Sequence, residues 1–400
     1  YIIHARCAGD ADLTLKLFMR MYKTVARTFP FLLKQEHDLL PVIRDMEDTG
    51  ITLDIDEAWR QIKEFEDIVD DVRDFIEGVL GRDDFNLNAH ATQCEVLEKA
   101  GILTQIIELP DKAGLTPTGR PKLSDYNLRN LHHPVSAMML LGKASQKMAS
   151  TFLRGMIERA DPNNVVHPSF NQVGTRTGRL SSSNPNLQNI PVENPRRAEY
   201  TAAEADEEFE LTGYRYAQHI KRIFICRPNT AHIHSDKSRA EICMLAHYSK
   251  DETLVEILKD PNADVHDEVC MRLFGERTKG LRTRAKRAVF GYLYGAGDKT
   301  LASKIGGSLR AAVDTRKRLE KILRGLPRWK DSLFREIAER GYVQTIHGRR
   351  HYTRRDKSYT AINSMCQGTV GDEIKSRMVA IGNWAASQRK DGHNVHLLLQ

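Results

Sequence analysis

What most limits the fold of this chain is hydrophobic spacing of helical period, held over two long blocks and broken by turn-rich segments. In EFEDIVDDVRDFI, Phe65, Ile68, Val69, Val72, Phe75 and Ile76 fall on one stripe with acids opposite, which predicts an amphipathic helix. The period runs from about 31 to 165, ending in VSAMMLLGKASQKMASTFL, and dominates again from about 240 to 340. Between the blocks lie the turn-rich NQVGTRTGRLSSSNPNLQNIP and a charged stretch, 193–215, that reads as a surface insertion. HIKRIFICRPNTAHIHSDKS reads as strand, turn, strand leading into Asp236, and GYVQTIHGRRHYT as a hairpin with Gly348 in its turn. INSMCQGTVGDEIKSRMVAIGNW is helical, and NVHLLLQ is an apolar run of strand type. These elements predict an α+β class, mostly helical, and 400 residues predict two or three domains.

With 40% hydrophobic and 28% charged residues the chain is able to bury substantial cores. No run of about 18 apolar residues occurs, which argues against a membrane span. YIIHARC has neither the charged start nor the apolar core of a signal peptide, and with Tyr1 in place of Met the chain reads as a fragment with its start missing. Six scattered cysteines without C-x-x-C spacing suit a reducing compartment and argue against a zinc ribbon or a disulfide framework, so a cytoplasmic location is expected. The net charge is +7, with cations concentrated at 277–287 and 347–357. Such clusters are either solvated surface or an electrostatic footprint for a polyanion.

Four segments carry candidate chemistry. In RTRAKRAVFGYLYG, Arg282, Lys286, Phe290 and Tyr294 are spaced by four and form one slowly drifting row on a helix. Two cations followed by two aromatics suit a triphosphate at one end and a stacked base at the other, or an ordinary cationic helix packing its rings into a core. Gly291 and Gly295 remove bulk beside the aromatics and permit close approach of a base or another backbone. Asp236 follows a short apolar segment and precedes Glu241; a carboxylate there either holds Mg²⁺ or caps a turn. The Asn/Pro loop TRTGRLSSSNPNLQNIP, 175–191, carries Arg179 and Gln188, suited to a phosphate and a minor-groove base edge, or simply a polar loop. Asn363 and Gln367 share a helix face four residues apart, and Lys143 and Lys147, one turn apart, are candidates for nucleic-acid backbone contacts.

In this order the segments resemble the family A DNA polymerases. TGRLSSSNPNLQNIP is similar to the family's template–primer-binding segment, DKSRAE to its first palm motif, R-x-x-x-K-x-x-x-F-G-x-x-Y-G to its fingers helix, and INSMCQG to its later palm helix. The resemblance implies a right-hand fold with a small antiparallel palm sheet. It places the tail end of a 3′–5′ exonuclease-like domain at 1–30, thumb and connecting region at 31–165, the first part of the palm at 166–250, fingers at 251–340 and the second part of the palm at 341–400. It implies Asp236 and the Lys237 carbonyl as ligands of two Mg²⁺ ions, with Mn²⁺ as a substitute, and Asp236, Arg282, Lys286 and Tyr294 as the catalytic set. The nucleotide-binding set is Glu241, excluding a ribose 2′-hydroxyl, with Arg282, Lys286, Phe290 and Tyr294 on the incoming dNTP. Arg179, Gln188, Asn363 and Gln367, together with Lys143 and Lys147, are implied contacts to primer–template DNA. Lys237, Cys243 and Tyr359 depart from residues usual in the family. At the amino end, ARCAGDADLTLKL resembles the last exonuclease helix, with Asp10 as its carboxylate but Arg6 where a tyrosine is expected, so no 3′–5′ exonuclease activity is expected.

A second acidic stretch, ADVHDEV at 263–269, spells the family's other catalytic motif, Val-His-Asp-Glu, but precedes the fingers helix instead of following it. Its local chemistry predicts a helix start: Asp264 as N-cap, Asp267 at the reciprocal capping-box position, and Val265, Val269 and Leu273 as a buried stripe. The chain stops at Gln400, where the true Val-His-Asp-Glu is expected. The isolated chain is therefore expected to be nearly inactive and to need a C-terminal polymerase segment carrying that motif. Two rival functions remain: a primer–template-binding fragment that does not catalyse, and a single-subunit RNA polymerase. Phe290→Tyr is expected to raise dideoxynucleotide acceptance.

Overall fold

Asp54 opens the helix Ile55–Leu80 by accepting a hydrogen bond from the Glu57 amide at 2.9 Å, and Gly81, at φ 71°, closes it with its N–H on the Glu77 carbonyl. In this computed structural model residues 2–109, 114–129, 131, 133–190, 220–305 and 308–398 are described; the charged stretch 193–215 lies outside them. The chain divides into two compact units, one of Glu47–Ser169, Ser182–His232 and Leu398–Gln400, the other of Tyr1–Met46, Phe170–Ser181 and Ile233–Leu397. Among the described residues no helix is long and apolar enough to cross a membrane.

In the first unit the helix Ile55–Leu80 buries Ala58, Ile62, Phe65, Val72, Ile76 and Leu80. Of the predicted stripe, Phe65, Val72 and Ile76 are buried, Ile68 and Val69 half-buried, and Phe75 is 38% exposed. At 3.6 residues per turn it sits roughly 80° from the line of Phe65, at the edge of the face. The stripe packs on the helix Pro134–Lys147, where Gly142 allows close contact: a Cβ there would lie 2.9 Å from both Val72 Cγ1 and Leu87 Cδ2. One apolar cluster gathers Ile62, Phe65, Leu153, Val166 and Ile223; another gathers Ile76, Leu97, Ile106, Leu128 and Met139. Each such side chain contributes about 1.5–3 kcal/mol by leaving water. Ile51–Thr52 pairs antiparallel with Val165–Val166, and Gly50, at φ 60°, leaves no room for a Cβ, which would fall 2.6 Å from the Val166 carbonyl.

The second unit is built on helices Ala240–Ser249, Glu252–Lys259, Val265–Phe274, Lys279–Leu293, Leu309–Ile322 and Gly325–Arg340, which share one core with the start of the long helix Ala361–Lys390. The predicted hairpin forms: Tyr342–Gln344 pairs with Arg350–Tyr352, and Gly348 turns at φ 88°. The expected strand–turn–strand before Asp236 does not. Ile220–Ile223 is a 3-10 turn, Phe224 makes one bridge to Leu53, and 230–237 has no strand. The NVHLLLQ segment is likewise irregular through Leu398. Apolar alternation marks a segment as fit for a sheet, but a ladder needs a partner along its length; the pairing of Phe224 with Leu53 ends after one bridge, and among the described residues the NVHLLLQ segment makes no bridge.

His351, on the hairpin's second strand, is buried beside Arg349 and sits 3.2 Å from the Arg176 carbonyl. Burial, with Arg349 adding to it, pulls its pKa down to about 4. An imidazole depressed in the folded state is protonated first in the unfolded chain, so stability is full above about pH 6.5 and falls as pH drops towards 4. The loss amounts to at most roughly 3 kcal/mol. Denaturant melts at pH 7 and pH 5 should show a smaller acid loss for His351→Gln than for the parent; equal losses would remove His351 from the account.

Candidate nucleotide-binding site

Thr278 caps the helix Lys279–Leu293, accepting from the Leu281 amide, and sets the row Arg282, Lys286, Phe290, Tyr294 along it. Phe290 and Tyr294 stack at 6.0 Å between ring centroids, the Lys286 ammonium stands 5.9 Å over the Phe290 ring, and the His266 ring lies 5.6 Å from it, tilted by 43°. Burial, then Lys286, lowers the pKa of His266 and keeps its ring neutral, and its Nδ1 is buried without a hydrogen-bond partner. Gly295, at φ 66°, takes the chain past Tyr359, whose carbonyl oxygen would be 2.3 Å from a Cβ there. The expected close approach at this glycine is therefore made by backbone.

Below the aromatic end a polar group gathers four of the residues singled out in the sequence. Arg179 Nη2 donates to Glu241 Oε1 at 2.6 Å, the Tyr294 hydroxyl donates to Glu241 Oε2 at 3.4 Å, and Gln367 Nε2 donates to the Tyr294 oxygen at 3.5 Å. Burial and the Glu241 charge raise the Tyr294 pKa, so its hydroxyl remains a donor at neutral pH. Asn363, one turn before Gln367, has a buried Oδ1 with no partner. Gln188 lies in the other unit, in the 3-10 turn Leu187–Asn189 that Asn186 caps at 3.2 Å. Lys143 and Lys147 also lie there and line a cavity of about 520 Å³ with Asn88, Gln93 and Gln146. Lys143 donates to Gln93 Oε1 at 2.7 Å, and burial lowers its pKa.

The acidic stretch 263–269 is a helix start, as expected, with a further task. Asp264 accepts through Oδ1 from the amides of His266 (2.8 Å) and Asp267 (3.1 Å), and Val265, Val269 and Leu273 are buried. Asp267 does not reach back to its cap. Its Oδ1 accepts from Arg282 Nε at 2.6 Å, its Oδ2 faces Arg277 at 3.0 Å, and Asp264 Oδ2 accepts from Arg282 Nη2. Sequence reasoning missed this pairing. The signal available was charge alone, two acids followed by RTKGLR.

Asp236 and Lys237 are exposed, and among the described residues Asp236 makes no side-chain hydrogen bond or ion pair. Among the described residues no three His, Cys, Asp or Glu side chains are grouped to hold a metal, and Glu241 is engaged by Arg179. Magnesium takes six oxygen ligands, keeping several waters and binding through one or two carboxylates plus substrate phosphates. The described donors do not make up a two-ion set.

Cations and stacked rings in a row on one helix, next to a carboxylate–arginine–tyrosine group, are an arrangement whose chemistry suits an anion at one end and a planar ring at the other. The model of DNA polymerase family A matches residues 56–400, and this chain belongs to that family. It is 31% identical to the thermostable DNA polymerase I of Thermus caldophilus over 86% of this chain and 40% of that protein, and 31% identical to DNA polymerase I of Chloroflexus aurantiacus over 98% and 41%. It spans about two fifths of the length of these relatives. The POL domain of Pol1 from M. smegmatis, solved in complex with DNA primer-template and dNTP, shares the fold, with TM-score 0.74 and 24% identity over 91% of this chain and 62% of that one.

Proposed function

We propose that this chain serves template-directed DNA synthesis, the transfer of nucleotides from dNTPs to a primer 3′-hydroxyl. The carrying observation is the row Arg282, Lys286, Phe290, Tyr294, ending on the Glu241–Arg179 pair, in a member of this polymerase family. Arg282 and Lys286 would bind the phosphates, with charge-assisted contacts that strengthen as charge moves onto the leaving pyrophosphate. Phe290 would support the sugar and base. Tyr294, held by Glu241 and Gln367, would cover the templating position until a base pair displaces it. Arg179, Gln188, Asn363 and Gln367 would face the primer–template near the new pair, with Lys143 and Lys147 on its backbone farther along. In this reading 31–165 is the thumb, 251–340 the fingers, and 166–250 with 341–400 the palm, in a cytoplasmic enzyme. Mg²⁺ would bind Asp236 and the Lys237 carbonyl, completed by a further carboxylate from a Val-His-Asp-Glu segment.

Offered primed DNA, Mg²⁺ and nucleotides, the active polymerase is expected to add dNTPs at least about a hundredfold more efficiently than rNTPs, because a 2′-hydroxyl would meet Glu241. Equal use of both would favour the RNA polymerase reading. A second reading rests on the solitary Asp236 carboxylate: the chain binds primer–template and dNTP but does not catalyse unaided. Binding without extension, with extension restored by a segment supplying the carboxylate, would single it out.

A further inference from the structure

Arg282, the first cation of the row, is already occupied in this structure. We propose that Asp264 and Asp267 form a displaceable latch on Arg282, positioning its guanidinium and competing with the incoming triphosphate for it; this rests on the reading of Arg282 and Lys286 as a triphosphate site. The grip is two-sided, with Asp267 on Nε and Asp264 on Nη2. It is also partly sheltered, the side chains of Arg282 and Asp267 being 24% and 19% exposed, so solvent screens it less than a surface pair. Neither carboxylate depends on Arg282 for its place. Asp264 is fixed by the cap hydrogen bonds of its other oxygen, and Asp267 by its ion pair with Arg277. Both therefore stay when the guanidinium swings away, ready to take it back when the phosphates depart. Lys286, one turn on, is exposed and among the described residues makes no ion pair, so it meets the phosphates first. A ligand engaged there brings enough negative charge to draw Arg282 from two carboxylates that, once abandoned, repel each other and the ligand.

A latch and a purely structural ion pair predict opposite results for anion affinity. Inorganic tripolyphosphate is titrated calorimetrically into the chain without divalent ions at fixed ionic strength. Asp267→Asn is expected to tighten binding about three- to tenfold, the scale of one partly exposed ion pair. Asp264→Asn keeps the cap oxygen, loses the charge and is expected to act in the same direction, which covers the case in which Asp267→Asn does not fold. Glu268→Gln removes the same charge from a neighbour that pairs with Arg272 instead, and should change affinity less than about twofold. Unchanged or weaker binding in the folded Asp variants, or an equal gain from Glu268→Gln, overturns the latch. Loss of binding in Arg282→Ala and Lys286→Ala would then show that the triphosphate site survives it. If neither of those variants weakens binding, the site itself is misassigned and the latch falls with it.

Discussion

Lys375→Ala is expected to lower folding stability by about 3–5 kcal/mol, read as a fall in the denaturant midpoint at unchanged slope. Lys375 is 0% exposed in the middle of the helix Ala361–Lys390, and its ammonium donates to Glu36 Oε1 and Oε2 at 2.7 and 2.9 Å. The same Glu36 accepts from Arg349 Nη2 at 2.8 Å, and Arg349 holds the fully buried Asp372 through Nε and Nη2 at 2.9 and 2.7 Å. Gln172 adds a hydrogen bond to Glu36 Oε2 at 2.7 Å, and Gln35 one to the Asp372 carbonyl at 2.6 Å. Removing the ammonium leaves Glu36 with Arg349 as its remaining counter-charge and empties a fully buried site in the helix. By contrast Lys16→Ala, from the exposed Asp12–Lys16 pair, should cost no more than about 0.5 kcal/mol. Similar costs for the two variants would show that the buried network holds nothing together.

The largest expected effect on function comes from Lys286→Ala in the active polymerase. Templated incorporation should fall about 10²–10³-fold in kcat/KM, the scale of losing one charged donor to the phosphates. Stability should hardly change, because Lys286 is exposed and contributes only its position over the Phe290 ring. Lys286→Arg keeps the charge but not the point-like geometry and should recover part of the loss. A decrease smaller than about tenfold would place the triphosphate elsewhere.

How much of this was legible in the sequence follows the range of the interactions involved. The stripe Phe65–Val72–Ile76, the Asp264 cap, the Gly348 turn and the row from Arg282 to Tyr294 were legible because each is set by residues within a few turns of one another. Glu36, Arg349, Asp372 and Lys375 were not: the Glu36–Lys375 partners are 339 residues apart, and no local pattern marks a buried charge as paired. Strand pairing failed for a related reason. The runs before Asp236 and around Leu397 have strand composition, but composition says nothing of which neighbour completes the ladder. In the site, periodicity aligned the row and gave no hint that Asp267 would turn from its cap to Arg282. Tyr294, Glu241, Arg179 and Gln367 were each singled out in the sequence; their meeting within 2.6 to 3.5 Å is the part only the fold reveals.

The central claim, that the face from Arg282 to Tyr294 receives the dNTP dictated by a template, is tested most directly by nucleotide capture without chemistry. A fluorescent primer–template ending in a dideoxynucleotide is titrated with the chain in Mg²⁺, with each of the four dNTPs in turn. The account predicts that only the dNTP complementary to the templating base tightens the complex and makes it resistant to added salt, and that Lys286→Ala abolishes the difference. Four dNTPs with the same effect, or selection that survives Lys286→Ala, would contradict it.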